Sequence, residues 1–371
     1  METWKKIRLG SACRTNTDSY SPKEKWDFVN YLDTGNITNN TIDSIQFIDL
    51  TKEKLPSRAR RKVRTDSIVY STVRPNQHHF GIIKSQPENF LVSTGFTVID
   101  VDTNVLNADF LYYLLTKNTL VEALHAIAEQ STSAYPSIKP SDIENLEIEI
   151  PDILTQKKIA NILNILDGKV TQNNEINKNL EQQAQAIYSS MFIEHRQESW
   201  STGQLSDLIS VKYGKDHKKL ADGNYPVYGS GGIMRYVEKP LYTGESVLIP
   251  RKGTLNNVMY VNEAFWSVDT MFYTEMLYSN IAKFVYHFVK SKDLASMNAG
   301  SAVPSMTTNI LNAMQLYIPD EKTLEKFENI VSPMYSAMQE NTKESKILAN
   351  TRDTLLPKLM SGELDVSVID L

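Results

Sequence analysis

Between positions 156 and 194, seam residues recur at alternating intervals of four and three. They are Ile159, Leu163, Leu166 and Val170, then Asn173 and Asn177, then Leu180, Ala184, Ile187 and Met191. That spacing is the seam of a helix that pairs with another in the manner of a coiled coil. About forty residues at roughly 1.5 Å each predict a rod of about 60 Å. So narrow an apolar stripe cannot be buried without a partner helix.

The partner is in the same chain. Advancing each seam position by 168 gives Phe327, Val331, Met334, Met338, Asn341, Ser345, Leu348, Arg352, Leu355 and Leu359. Only Arg352, which falls where Ala184 stands, changes character. The same offset carries Ser133-Ala-Tyr-Pro-Ser137 onto Ser301-Ala-Val-Pro-Ser305, and Ile150-Pro-Asp152 onto Ile318-Pro-Asp320. One register without a gap over this length implies an internal duplication. The asparagines and Ser345 on the two seams cost stability but fix register. If the helices run antiparallel, their polar patches meet near the middle. Pro333 and Pro357 predict a kink or a late start in the second helix.

The duplication reaches the domain starts. Trp4 is followed five residues later by Leu9, and Trp200 by Leu205. Between starts and rods the pattern turns to short β-branched and aromatic runs. Ser67-Ile-Val-Tyr-Ser-Thr72 and Phe90 to Ile99 read as strands, as do Ser246-Val-Leu-Ile249, Val258-Met-Tyr-Val261 and Met271-Phe-Tyr273. Residues 109–129 and 281–290 read as helix. The expected organisation is a first β-rich domain at 1–150, a helix at 151–196, a second domain at 197–318 and a helix at 319–371. The fold class is α+β, two β-rich domains each followed by a long helix, the helices packing as an antiparallel coiled coil.

Composition narrows the setting more than the function. A chain of 371 residues with 41% apolar and 22% charged residues is an ordinary globular protein. A single cysteine, Cys13, rules out a disulfide framework and points to a reducing cytoplasm. The N-terminal residues lack the apolar core of a signal peptide, and no run of apolar residues is long enough to span a membrane. The net charge is −5, which argues against a uniformly basic nucleic-acid binder but leaves room for local basic patches.

Two such patches stand out in the first half. Arg58, Arg60, Arg61, Lys62 and Arg64 crowd into seven positions, which suits phosphate binding. A solvated loop paired to acidic neighbours is the alternative. Arg74-Pro-Asn76-Gln77-His78-His79 follows, and Arg, Asn and Gln can make bidentate contacts to guanine or adenine. Here the alternative is a polar turn. His78 and His79 have no further ligand at metal spacing. In the second half, Tyr225-Pro-Val-Tyr228-Gly229-Ser230-Gly231-Gly232 allows a backbone to approach a ligand closely. Neither a phosphate loop nor a dinucleotide fingerprint is present. Ile249-Pro-Arg251-Lys252-Gly253-Thr-Leu-Asn256 places two cations after a strand. Its counterpart in the first half is the run from Tyr70 through Arg74 to Asn76. No amino-methyltransferase motif, helicase loop, nucleophile elbow or metalloprotease motif occurs, so a binding scaffold fits better than an enzyme.

Taken together, the sequence resembles the specificity (S) subunit of a type I restriction–modification system. The resemblance covers nearly the whole chain. It rests on the two Trp-x4-Leu starts, the Tyr225 to Gly232 run with Leu248-Ile-Pro-Arg-Lys-Gly253, and Ile150-Pro151. Gln156-Lys-Lys-Ile-Ala-Asn-Ile-Leu163 with Leu166-Asp167, and Leu356-Pro-Lys-Leu-Met-Ser-Gly-Glu-Leu364, complete it. Thr155 and the weaker Thr323-Leu-Glu-Lys-Phe327 depart from the pattern, leaving open how equally the two helices engage partners. The resemblance implies two target recognition domains reading the halves of a bipartite site in double-stranded DNA. It implies helical rods that set the spacer and dock two methyltransferase (M) subunits, with motor-nuclease (R) subunits joining for cleavage. S-adenosylmethionine and ATP belong on those partners, and this chain supplies no catalysis. A stand-alone two-domain DNA-binding regulator is the alternative. The residues expected to meet DNA are Arg58, Arg60, Arg61, Arg64 and Arg74 in the first half. In the second they are Lys215, Tyr228, Ser230, Arg251 and Lys252.

Overall fold

A computed structural model describes residues 4–131, 135–297, 305–366 and 369. Of the repeated Ser-Ala-x-Pro-Ser motif, only Tyr135, Pro136, Ser137 and Ser305 are among them; the rest lies outside the described residues. The chain forms two compact units. One comprises Met1–Gln172 with Glu344–Leu371, the other Asn173–Lys343.

The 4-3 pattern does form two long helices, Ile153–Ser189 and Glu321–Met360. A π-helical turn, Ser190–Glu194, ends the first. Asp152 and Asp320, 168 residues apart, cap their starts alike. Asp152 Oδ1 accepts the Leu154 amide at 2.8 Å, and Asp320 Oδ1 accepts that of Thr323 at 2.9 Å. Pro333 and Pro357 neither delay the start of the second helix nor interrupt it. Both are exposed, as are Asn329 and Asp353, the residues whose carbonyls the prolines leave without a partner. Water can satisfy those carbonyls, and buried Val331 and Tyr335 hold the helix on either side of Pro333.

Each unit contains one stretch of each helix, running antiparallel. In the first, Ile159, Ala160 and Leu163 share a core with Leu359 and Met360. Arg352, the one break in the duplicated seam, reaches Asp167 Oδ1 at 2.6 Å. In the second, Ala184, Tyr188 and Phe192 pack with Phe327, Val331 and Tyr335. The polar patches meet there: Asn341 Nδ2 donates to Asn177 Oδ1 at 2.9 Å, and Asn177 Nδ2 donates to the Met338 carbonyl at 3.2 Å. A shift of one turn would strand these amides, so they hold the register.

The globular parts repeat the duplication in their hydrogen bonding. Lys5–Arg8 pairs with Glu147–Ile150, and Ser201–Gln204 with Gln315–Ile318, in matching registers, Lys5 opposite Ile150 and Ser201 opposite Ile318. The first unit has an antiparallel sheet in the order Cys13–Thr15, Phe96–Val101, Ser67–Ser71, Phe80–Ile83. The second has Ile209–Tyr213, Met271–Met276, Tyr242–Pro250, Met259–Ser267 in the same order. The strand Phe96–Val101 is buried from Phe96 to Asp100, with Thr97 and Asp100 interrupting its apolar run. Beyond this shared sheet the units differ. The first adds a separate sheet of Gln46–Asp49, Phe28–Leu32, Phe90–Ser93 and Ala59–Arg61, whereas the second extends its sheet with Asp222–Gly229 and Gly232–Val237. No helix among the described residues is long and apolar enough to cross a membrane.

Candidate nucleic-acid interface

In the first unit the Arg58 to Arg64 run is not one patch. Ala59–Arg61 is a strand, and strand residues point alternately to opposite faces. Arg58 and Arg60 are exposed, while Arg61 is half-buried and burial lowers its pKa. Arg64 turns back to the buried Asp100, its Nε 3.1 Å from Oδ1. Lys62 pairs with Glu24 at 2.6 Å. The contiguous charge of the sequence is thus divided: Arg61 is half-buried, while Arg64 meets Asp100 but keeps a side chain 67% exposed.

Arg58 and Arg74 are brought toward one another by a turn between them. The Thr94 amide donates to the Arg58 carbonyl and the Thr72 amide to that of Gly95, each at 2.8 Å. The exposed Arg74 lies over the ring of Tyr135, 5.3 Å from its centroid. Tyr135 carries no signal in the sequence that would have singled it out.

The second unit gathers its candidates more tightly. Four segments around 213–215, 228–232, 251–257 and 267–270 are hydrogen-bonded to one another. The Lys215 amide donates to the Ser267 carbonyl at 2.8 Å, the Val268 amide to that of Tyr228 at 3.1 Å, and the Arg251 amide to that of Thr270 at 2.9 Å. Asn257 Nδ2 donates to the Ser230 carbonyl at 2.7 Å. Arg251 rests over the ring of Tyr213, 5.4 Å from its centroid, and its Nη1 donates to the Asp269 carbonyl. Lys215 and Lys252 are exposed and Ser230 is half-buried. Tyr213, 53% exposed, is a member that sequence reasoning missed. Tyr228 belongs inside: it is 9% exposed and its hydroxyl donates to Glu263 Oε1 at 2.5 Å. Burial, then Glu263, pushes its ionisation well above the usual range, so it builds the sheet instead of the surface.

The supposed equivalence of Arg74 and Arg251 also shifts. Val73 bridges to Ser137 and Lys252 to Ser305. The Ile138 amide donates to the Thr72 carbonyl and the Met306 amide to the Arg251 carbonyl, both at 2.9 Å. Ser137 and Ser305 are 168 apart, so Thr72 corresponds to Arg251 and Arg74 to Gly253. Both of the latter are left-handed, with φ of 48° and 85°. In the second unit glycine suits that position, because its φ is positive and a Cβ 2.8 Å from Ser230 Oγ would have to displace that hydroxyl. The two units therefore present cations at the same strand end, two positions apart. As a prediction, Arg251→Ala weakens binding of the assembled complex to its cognate duplex by about 1–3 kcal/mol. An unchanged gel shift would remove Arg251 from the interface.

A family model described as the type I restriction modification DNA specificity domain matches residues 1–182 and again 197–348. The type I restriction enzyme HindI specificity subunit of Haemophilus influenzae is 31% identical over 212 residues, 57% of this chain but only 46% of that protein. The MjaIX specificity subunit of Methanocaldococcus jannaschii is 22% identical over 412 aligned residues, covering 98% of this chain and 93% of that one. Among solved structures, a type I restriction-modification S subunit from M. genitalium superposes with a TM-score of 0.61 at 19% identity, covering 96% of both chains. The chain belongs to the type I restriction-modification DNA specificity family, with one copy of the family's domain in each half.

Proposed function

We propose that this chain is the DNA-recognition subunit of a type I restriction–modification complex and carries no catalytic centre of its own. Each unit reads one half of a bipartite duplex site, and the paired helices set the unread spacer and dock methyltransferase subunits. The observation that carries this reading is the repeated sheet with the same strand order and the same bridged strand end in both units, each end bearing cations beside an aromatic ring. Phosphates attract such cations, while their unlike neighbours supply different base readers. The differing extra strands suit two unlike half-sites. S-adenosylmethionine and ATP bind the methyltransferase and motor-nuclease partners, which also supply much of the phosphate grip that this acidic chain lacks.

The test is co-expression with the candidate methyltransferase subunit, mass determination of the complex, and sequencing for N6-methyladenine. A complex of one such chain with two methyltransferases, and methylation at a split motif that vanishes when this chain is deleted, is the expected result. A chain that stays alone, yet binds duplex DNA tightly, would make it a stand-alone regulator instead.

A further inference from the structure

The strands Asp222–Gly229 and Gly232–Val237 form a hairpin at the edge of the second unit's sheet, closed by Ser230 and Gly231, with Tyr228 opposite Ile233. The inner strand is buried from Pro226 to Gly229, up to the turn, and Val237 is buried in the outer strand. The outer strand beside the turn is not. Ile233 is 50% and Met234 60% exposed. Adjacent strand residues point to opposite faces, so this edge strand exposes an apolar side chain on each face beside the turn, while the inner strand stays in the sheet, Val227 opposite Trp266 and Tyr228 opposite Ser267.

The tip is nevertheless held in place. Asn257 fastens the Ser230 carbonyl, Gly253 abuts Ser230 Oγ, and Met234 lies across Gly229, its Sδ 2.5 Å from where a Cβ would be. Arg251 and Lys252 precede Gly253 directly. Two adjacent exposed apolar side chains on a braced edge strand, with cations beside them, make a small amphipathic surface. It is a suitable one for duplex DNA. The one apolar group that bases present in the major groove is the thymine C5-methyl, which exposed apolar side chains on a sheet edge can contact.

We infer that Ile233 and Met234 enter the major groove and read thymine methyl groups in the half-site of the second unit. This rests on the DNA-recognition reading above and adds what that half-site contains. The neighbouring cations hold the phosphates, while the apolar pair discriminates.

The test uses the full complex with its methyltransferase subunits and the target found by methylation sequencing. Each thymine of the half-site is replaced in turn by deoxyuridine, which removes only the methyl. The expected result is one or two positions where deoxyuridine weakens binding about fourfold to tenfold, the worth of one or two buried carbon groups. In Ile233→Ala or Met234→Ala, binding to the thymine duplex falls by a similar factor, and sensitivity to deoxyuridine at that position disappears. Both side chains are exposed, so thermal unfolding of the variants serves as a control and should be unchanged. The inference is overturned if the wild type binds specifically yet ignores every deoxyuridine. A half-site without an A·T pair overturns it too, as do variants that remain as sensitive to deoxyuridine as the wild type. Absence of any sequence-specific binding would instead overturn the recognition reading beneath it.

Discussion

Replacing Lys283 by alanine destabilises the second unit by about 3–5 kcal/mol, the cost of removing one partner from a buried ionic group. Lys283 sits on the helix Ala282–Lys290 and is 4% exposed. Its Nζ lies 2.8 Å from Glu245 Oε1 and 2.6 Å from Glu328 Oε1. The rings of Tyr260 and Tyr335 flank it, their centroids 5.3 and 5.7 Å away. Burial alone would raise the pKa of Glu245, but hydrogen bonds from Lys283 and Tyr260 outweigh it and leave the carboxyl below its ordinary value. Without the ammonium, two half-buried carboxylates face each other unpaired. The ionic group ties three elements together: the strand Tyr242–Pro250, which leads into Arg251, the helix that carries Lys283, and the long helix that carries Glu328. Loss of Lys283 therefore also loosens the strand end at the candidate interface. Urea unfolding should be followed by the emission of Trp200 and Trp266, with Trp4 and Trp26 replaced by phenylalanine, because two units need not unfold together. A loss below about 1 kcal/mol would refute the assignment. The triple variant Lys283→Met, Glu245→Leu, Glu328→Leu should recover most of the stability, since apolar packing can replace a complete buried ionic group.

None of this group could be read from the sequence, because its members are far apart in the chain and each alone is an ordinary charged residue. What could be read was periodic. The seam positions and their copies at an offset of 168 revealed both long helices, the duplication and the meeting of Asn177 with Asn341, because spacing along a helix is a local property. The strand runs were legible for the same reason. Local composition misled where tertiary pairing decides. Five cations in seven positions looked like one patch, but strand alternation sends Arg61 inward, and buried Asp100 claims Arg64. Arg74 and Arg251 looked equivalent because each follows a strand, yet the bridges to Ser137 and Ser305 align Arg74 with Gly253. Tyr228 looked like a surface aromatic among glycines, but Glu263, on a neighbouring strand, takes its hydroxyl. The exposed pair Ile233 and Met234 gave no signal at all, because an edge strand and a central one share one pattern until the neighbouring strands are placed.

Acidification from about pH 6.5 to about pH 4 removes roughly 3 kcal/mol from the stability of the second unit, through His287. This side chain is completely buried. Its Nδ1 lies 2.7 Å from Gln185 Oε1, an acceptor, so Nδ1 carries the proton and Nε2 accepts from the Tyr335 hydroxyl at 2.9 Å. The neutral ring is thereby satisfied on both sides while it stacks on Tyr188, 5.6 Å between centroids. Burial drives its pKa from 6.5 down to about 4; Glu181 pulls it up and Lys290 pushes it down, both less strongly. The folded pKa lies below the unfolded one, so between those values the unfolded chain binds the extra proton. The stabilisation is complete above about pH 6.5 and is lost as the pH falls toward 4. Glu181 and Glu245, both held below their ordinary values, also lose stabilisation on acidification, but only below the usual carboxylate range. The slope between about pH 6.5 and 5 therefore isolates the histidine. His287→Gln keeps a donor for Gln185 and an acceptor for Tyr335 but cannot titrate. It should lower stability at neutral pH, where the stacked ring is lost, and flatten the dependence on pH over that interval. Equal slopes in the wild type and in His287→Gln, by urea unfolding at several pH values, would show that some other group drives the loss. A flattened slope would identify His287 as the group through which acid loosens the grip of the recognition domain on its helices.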